Sequence, residues 1–311
     1  MRYLVTGGCG FIGSHLAEAL VAAGAEVRVF DNLSTGREEH LAAVRERVEL
    51  VRGDVRDPDA LRAAMEGVEG VFHQAALVSV FESMERPRDN HEINLTGTFN
   101  VLLAARERKV RRVVAASSAA VYGNEPTLPK REDLRPQPES PYAAAKLAGE
   151  HYLAVFARRY GLETVSLRYF NVYGPRQDPS SMYSGVISRF AEALRADAPP
   201  TVFGDGRQTR DFVFVKDVVQ ANLLAMRAPG VGRGEALNIG TGRRTSLLEL
   251  LEALSALSGR ALNPRFHPAR AGDIRHSVAE IARARLELGY EPAYDIRQGL
   301  AELLAAAGEK R

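Results

Sequence analysis

The feature that most narrows the possible folds lies in the first two dozen residues. Arg2-Tyr-Leu-Val-Thr6 is short, apolar and rich in strand formers. Gly7-Gly-Cys-Gly10-Phe-Ile-Gly13 follows at once, and Ser14 to Ala23 reads as a helix. A glycine fingerprint between a strand and a helix signals a dinucleotide-binding βαβ unit. Gly7 permits the tight turn, Gly10 lets a pyrophosphate approach the backbone, and Gly13 lets the helix pack close to the strand. The free N–H groups and partial positive charge of the helix start then favour phosphate. A second apolar run, Glu26 to Phe30, ends at Asp31. An acidic residue there can bind an adenosine ribose hydroxyl, which favours NAD. Arg37 keeps the 2′-phosphorylated form open.

The rhythm continues through the first half. Leu4-Val5, Glu26 to Phe30, Val48 to Arg52, Gly70 to His73, Arg112 to Ala116 and Thr164 to Tyr169 read as strands. Ser14 to Ala23, Asp57 to Met65, Asn94 to Arg108 and Pro141 to Tyr160 read as helices between them. This alternation predicts an α/β fold, a Rossmann-type doubly wound parallel sheet. Its ligands should collect at the carboxyl ends of the strands. Residues 1–171 are expected to form the NAD-binding domain. Beyond them prolines punctuate loops around helical stretches at Tyr183 to Ala196, Val215 to Arg227 and Ser246 to Ser258. That part, 172–311, is expected to be a smaller α+β lobe for the substrate, partly interwoven with the first. Asn238-Ile-Gly-Thr-Gly242 resembles a phosphate loop but lacks its Lys-Ser/Thr ending, and reads as structural.

Composition removes several function classes. With 45% hydrophobic and 26% charged residues, the chain reads as an ordinary soluble globular protein. A net charge of +2 with no basic block implies no nucleic-acid partner. The single cysteine, Cys9, excludes an intrachain disulfide and a cysteine-cluster metal site, and no metal is expected. No apolar run approaches the roughly 20 residues of a membrane span. The first strand begins so early that no signal peptide is expected, so the cytoplasm is the expected compartment.

Chemistry enters with Tyr142 and Lys146, four residues apart in Pro141-Tyr-Ala-Ala-Ala-Lys146. On a helix they share one face. A free tyrosine has a pKa of roughly 10, and a neighbouring ammonium favours its phenolate. The spacing alone equally describes a core aromatic with a solvated lysine one turn on.

The ordered set of motifs is more specific. Thr6 to Gly13, Asp31-Asn32, Asp54-Val55, His73-Gln-Ala-Ala76, Asn94 to Thr98, Ser117-Ser-Ala-Ala-Val-Tyr-Gly123 and Tyr142 to Lys146 together resemble the extended short-chain dehydrogenase/reductase family. Arg168 to Pro175, Gly204 to Asp211 and Arg270-Ala-Gly-Asp273 are similar to its nucleotide-sugar branch. The resemblance covers nearly the whole chain. It implies Tyr142 as catalytic acid–base, Lys146 on the nicotinamide ribose lowering the tyrosine pKa, and Ser118 bonded to the tyrosine and the sugar hydroxyl. It implies NAD contacts from Gly7, Gly10, Phe11, Ile12, Gly13, Asp31, Asn32, Asp54, Val55, Ala75, Asn94, Ser117 and Phe170, besides Tyr142 and Lys146. For a UDP-hexose it implies Ser118, Tyr142, Asn171, Val186, Phe203, Arg210, Arg270, Asp273 and Ser277. Arg210 and Arg270 would grip the diphosphate with Asn171, as the planar guanidinium suits. Surface ion pairs with Asp211 and Asp273 are their bland alternative.

The implied reaction is 4-epimerisation of UDP-glucose or UDP-galactose through a 4-keto sugar, in a homodimer built on Asn94 to Arg108 and Tyr142 to Tyr160. A 4,6-dehydratase would need carboxylates where Ser118-Ala119-Ala120 stands, and the decarboxylating branch fails likewise. A regulatory NAD-binding relative would usually lack Tyr142 or Lys146. Ser277 is small where a bulky residue in similar enzymes tends to exclude N-acetylated sugars, so UDP-N-acetylglucosamine is the runner-up substrate. Val78 stands where some similar enzymes carry a sugar-contacting lysine.

Overall fold

The first-half strands form because helices cover both of their faces. In this computed structural model, which describes residues 1–178, 185–269 and 274–308, β1 (Arg2–Thr6), β2 (Glu26–Asp31), β3 (Val48–Arg52), β4 (Gly70–His73), β5 (Arg112–Ser118) and β6 (Glu163–Tyr169) are all parallel. Four short strands follow: β7 (Asn171–Tyr173), β8 (Thr201–Phe203), β9 (Thr209–Arg210) and β10 (Phe212–Phe214). They precede β11 (Arg233–Ile239), β12 (Thr245–Ser246) and β13 (Arg265–His267). The central sheet has seven strands in the order β11-β6-β5-β4-β1-β2-β3. Chain direction through the sheet reverses between β1 and β4, and the crevice outside their carboxyl ends is where such sheets take ligands.

Side chains alternate across each strand. Leu4, Phe30, Val71 and Val113 face one core, against helices α2 (Pro58–Ala64), α5 (Gly97–Glu107) and α6 (Pro141–Tyr160). Val5, Val29, Phe72, Val114 and Val165 face the other, against α1 (Phe11–Ala22) and α8 (Val215–Arg227). Each such side chain contributes on the order of 1.5–3 kcal/mol when buried. A third core lies in the C-terminal part, where Phe190 of α7 (Val186–Arg195) meets Phe212, Phe214, Leu250 and Leu254. The latter two belong to α9 (Leu247–Ser258). Among the described residues no helix is long and apolar enough to cross a membrane.

Three differences from the sequence reading matter for the site. Helix α1 starts at Phe11 and not Ser14, because Gly10 itself is the extended N-cap residue (φ −78°, ψ −175°). The helix expected from Asn94 begins as a π-helical turn, His91–Thr96, that runs into α5. The seventh strand, β11, returns from the C-terminal part to pair with β6. The loop Asn238 to Gly242 is structural as expected: its amides hold a buried side chain. Asp211 accepts from Thr241 N (2.7 Å), Thr241 Oγ1 (2.7 Å), Gly242 N (2.9 Å) and Ala279 N (3.1 Å).

Candidate active site

A cleft of about 1700 Å³ runs along the carboxyl ends of the sheet. Its floor is the glycine turn. Gly7 sits at φ +67°, and a Cβ there would meet Ala75 N at 2.7 Å; a Cβ on Gly13 would meet Gly7 O at 2.1 Å. The turn, the start of α1 and the end of β4 are therefore in backbone contact. A Cβ on Gly10 would meet only Gly7 O, at 3.1 Å, so Gly10 leaves room on the cleft side beside the free amides of α1. Asp31 closes β2 with both oxygens ordered, Oδ2 accepting from Cys9 N (2.9 Å) and Oδ1 from Leu33 N (2.8 Å). A carboxylate has further lone pairs for a ribose hydroxyl. Asn32 Nδ2 donates to Asp54 Oδ2 (2.9 Å). Arg56 bonds the same carboxylate and holds it well below the usual carboxylate range. These residues fit a dinucleotide: a side-chain-free turn for its phosphates and an ordered carboxylate at the end of the next strand.

Behind the turn, three side chains bind β1, β4 and α5 together. Thr98 Oγ1 donates to Asn94 O (2.7 Å), so it accepts from His73 Nε2 (3.0 Å), and His73 Nδ1 accepts from Thr6 Oγ1 (2.8 Å). This assigns the neutral Nε2–H tautomer. Burial pushes the imidazole pKa down to about 3, and Lys146 adds to the effect.

The reactive end is built by α6. Ser140 caps it by accepting from Ala143 N (3.2 Å), Pro141 fits its first turn, and Gly161 at φ +70° ends it. Pro141 has no N–H, and the next amide, Tyr142 N, is taken by Ser83 Oγ (3.2 Å) of α3 (Val80–Glu85). The Tyr142 side chain faces Ser118 at the cleft, and Ser118 Oγ accepts from Ala120 N (3.1 Å). Lys146 Nζ donates to Ala116 O (2.8 Å) and lies 5.8 Å from the Tyr142 ring centroid. Burial pushes the Tyr142 phenol above its ordinary value and the Ser118 bond pulls it down. Burial also brings Lys146 down to about 8, opposed by Glu150. The expected direct lowering of the tyrosine by the ammonium is therefore not what dominates in the protein alone. The ammonium is turned to the Ala116 carbonyl, and the apolar surroundings of the phenol outweigh it.

Most of the expected residues meet in this one cleft: Gly7 to Gly13, Asp31, Asn32, Asp54, Val55, Ala75, Ser117, Ser118, Tyr142, Lys146, Phe170 and Asn171. Asn94 does not line it. The π-helical turn directs its amide to the Leu77 backbone, donating to Leu77 O (2.9 Å) and accepting from Leu77 N (2.8 Å). It braces the cleft wall from behind. Val186, Phe203, Arg210 and Ser277 are not among the lining residues either. Phe203 and Arg210 stand on β8 and β9, Ser277 N donates to Thr209 O (3.1 Å), and Val186 opens α7. Asp211, the bland ion-pair partner of Arg210, has its carboxylate bound by the Thr241 to Gly242 loop and Ala279. Arg270 and Asp273 lie outside the described residues.

Two residues escaped the sequence reading. Gln74 and Tyr169 line the cleft. Asn222 Nδ2 donates to the Tyr169 hydroxyl (2.7 Å), and Gln74 Nε2 donates to Asn222 Oδ1 (3.0 Å). Their positions at the carboxyl ends of β4 and β6 were the available signal.

Residues 3–240 match the model of the NAD dependent epimerase/dehydratase family. The chain is 44% identical over 307 residues to a UDP-glucose 4-epimerase of Mycolicibacterium smegmatis, covering 97% of each. It is similar to the Thermus thermophilus UDP-glucose 4-epimerase solved in complex with NAD (TM-score 0.89, 40% identity, 98% of both chains). It is likewise similar to a UDP-N-acetylglucosamine 4-epimerase from Methanobrevibacter ruminantium in complex with UDP-N-acetylmuramic acid (TM-score 0.95, 35% identity, 100% and 99% covered). The likeness runs from the glycine turn through the tyrosine helix to the far end of the sheet, and on it this chain belongs to the NAD dependent epimerase/dehydratase family.

Proposed function

We propose that this protein is an isomerase that inverts the 4-hydroxyl of a UDP-hexose, interconverting UDP-glucose and UDP-galactose through a transient 4-keto sugar. The observation that carries this reading is the meeting of Ser118, Tyr142 and Lys146 at one end of the cleft whose other end is the glycine turn. NAD supplies reversible hydride chemistry, so no external reductant is consumed. Gly7, Gly10, Gly13 and Asp31 would hold its adenosine diphosphate half. Tyr142 removes the 4-hydroxyl proton and later returns it to the same oxygen, O4, after the keto sugar has turned its other face to the cofactor. Ser118 orients the hydroxyl, and Lys146 supplies positive charge beside the phenolate. Ser118 is followed by Ala119 and Ala120, so no carboxylate stands there to expel water or carbon dioxide. Purified protein is expected to convert UDP-galactose to UDP-glucose with no added reductant, read by coupled assay or chromatography. No turnover of any UDP-hexose would reject the epimerase reading.

In this reading, residues 1–171 hold the cofactor and 172–311 mainly hold the sugar nucleotide, with Asn171, Arg210, Arg270 and Asp273 on its diphosphate and ribose. The small, half-buried Ser277 favours a second substrate, UDP-N-acetylglucosamine. Ser277→Tyr is expected to lower kcat/KM for the N-acetylated sugar by about tenfold or more and to spare UDP-galactose. Equal losses on both substrates would discard Ser277 as the size gate. A cytoplasmic homodimer through α5 and α6 completes the proposal. It is supported by the exposed Tyr152, Val155 and Tyr160 along α6, since contiguous exposed apolar side chains mark interaction surfaces.

A further inference from the structure

One buried carboxylate has no part in the mechanism above. Glu150 is 7% exposed and lies on α6 four residues after Lys146, itself four after Tyr142. Residues four apart on a helix are neighbours on one face, so the three form a single inward stripe. The Glu150 carboxylate is held on two sides. Arg168 of β6 donates to both its oxygens, Nε to Oε1 at 2.9 Å and Nη2 to Oε2 at 2.7 Å, and Ser117 Oγ of β5 donates to Oε1. Arg168 also donates to the Tyr122 hydroxyl (2.9 Å), which donates to Asn238 Oδ1 of β11 (2.7 Å). The network therefore crosses three adjacent strands and one helix. Ser117 lies between Ala116, whose carbonyl receives Lys146, and Ser118, which lines the cleft with Tyr142.

A small void of about 10 Å³ opens on Lys146, Glu150, Ser117 and Ser166. Ser166 Oγ is buried and has no hydrogen-bond partner among the described residues. Lys146 and Glu150 thus share the lining of one buried void. Around Lys146 the titratable and charged groups are Tyr142 and Glu150 on its own helix, His73 on β4, and Arg168 and Tyr169 on β6. β5 and the π-helical turn face it with Ser117 and Asn94, which do not titrate. Glu150 is therefore the one carboxylate in that set.

We propose that Glu150 is a positioning residue of the active site. Clamped by Arg168 and Ser117, it fixes the register of α6 against the end of β5 and acts as the counter-ion that keeps Lys146 an ammonium. Replacing a buried ion pair by apolar residues is often neutral or stabilising, so a fold-only role gives little reason to keep one here. A counter-ion role does, because an isolated buried lysine tends to lose its proton.

The inference rests on the proposed role of Lys146, and its test reads Lys146 directly. The chain has five lysines, at 109, 130, 146, 216 and 310, so the Lys146 resonance of the cofactor-loaded protein can be assigned with Lys146→Met in lysine-selective NMR. Glu150→Gln is expected to lower the Lys146 titration midpoint by about one pH unit or more. The alkaline limb of the kcat profile should move to lower pH with it. An unchanged midpoint would overturn the proposal even in an active enzyme. The NMR shift would stand even if the protein proved not to be an epimerase. If the unpaired Arg168 unfolds that variant, Glu150→Gln/Arg168→Met removes both charges. The midpoint should then fall in the same direction by less, and no fall would overturn the assignment.

Discussion

Replacing Tyr142 with phenylalanine is expected to lower kcat by about a hundredfold to ten-thousandfold, the contribution of a positioned general acid–base. Thermal stability and bound cofactor should be nearly unchanged. The reason is local. The phenol is buried beside Ser118. Ser118 Oγ keeps its bond from Ala120 N (3.1 Å) when the phenol is gone. One lost hydrogen bond costs only about 1 kcal/mol net, and the ring volume is retained. Burial holds the phenol above its ordinary pKa in the protein alone, so in the proposed reaction proton removal would need the positive charge of Lys146 and of bound NAD nearby. Initial rates with UDP-galactose, paired with a melting curve, decide the matter. A variant within tenfold of the parent would remove Tyr142 from the reaction.

The second large effect is structural. Gly13→Ala places a Cβ 2.1 Å from Gly7 O and 2.8 Å from Gly7 C and Gly8 Cα. All three are backbone atoms, so no side chain can swing aside. Nor can the turn retreat, because Gly7 is already packed on Ala75 at the end of β4. The helix must separate from the turn, at about 3 kcal/mol or more for a clash of this kind. Roughly 1.5 °C of Tm is lost per kcal/mol in a chain of this length. The phosphate amides lose their common aim as well, so the purified variant should show a depleted absorbance shoulder at about 260 nm, where adenine absorbs. A variant that melts like the parent and retains its cofactor would show that Gly13 is not needed for close packing.

Six of the seven parallel strands and the whole Gly7 to Gly13 turn were legible in the sequence, because short apolar runs between amphipathic helices leave few alternatives. The seventh strand was not. β11 opens on Arg233, Gly234 and Glu235, which carry no strand signal. Gly234 is needed for a tertiary reason: a Cβ there would lie 2.3 Å from Ala154 Cα of α6. Local propensity and long-range packing conflict, and packing prevails. Asn94 was legible as a special residue but not in its task, since a π-helical turn leaves no pattern that separates it from an ordinary one. The sugar-nucleotide side was hardest. Its strands are two or three residues long and pair with distant partners, β7 with β10, β9 with β12 and β8 with β13. Such segments have no period to read, so Phe203, Arg210 and Ser277 could be nominated only through resemblance, and they do not line the cleft. Glu150 was overlooked for the opposite reason. A glutamate in mid-helix looks solvated until Arg168 arrives from β6.

The loop from Asn238 to Gly242 has a consequence for how a nucleotide can lie on this protein. Two glycine turns here present converging amides, and amides of that kind attract anions wherever they occur. One of them carries its own anion on a tether. Asp211 is fully buried in the second turn, so that turn is plugged from within and is invisible to a passing diphosphate. Of these two turns, only Gly7 to Gly13 opens on the cleft.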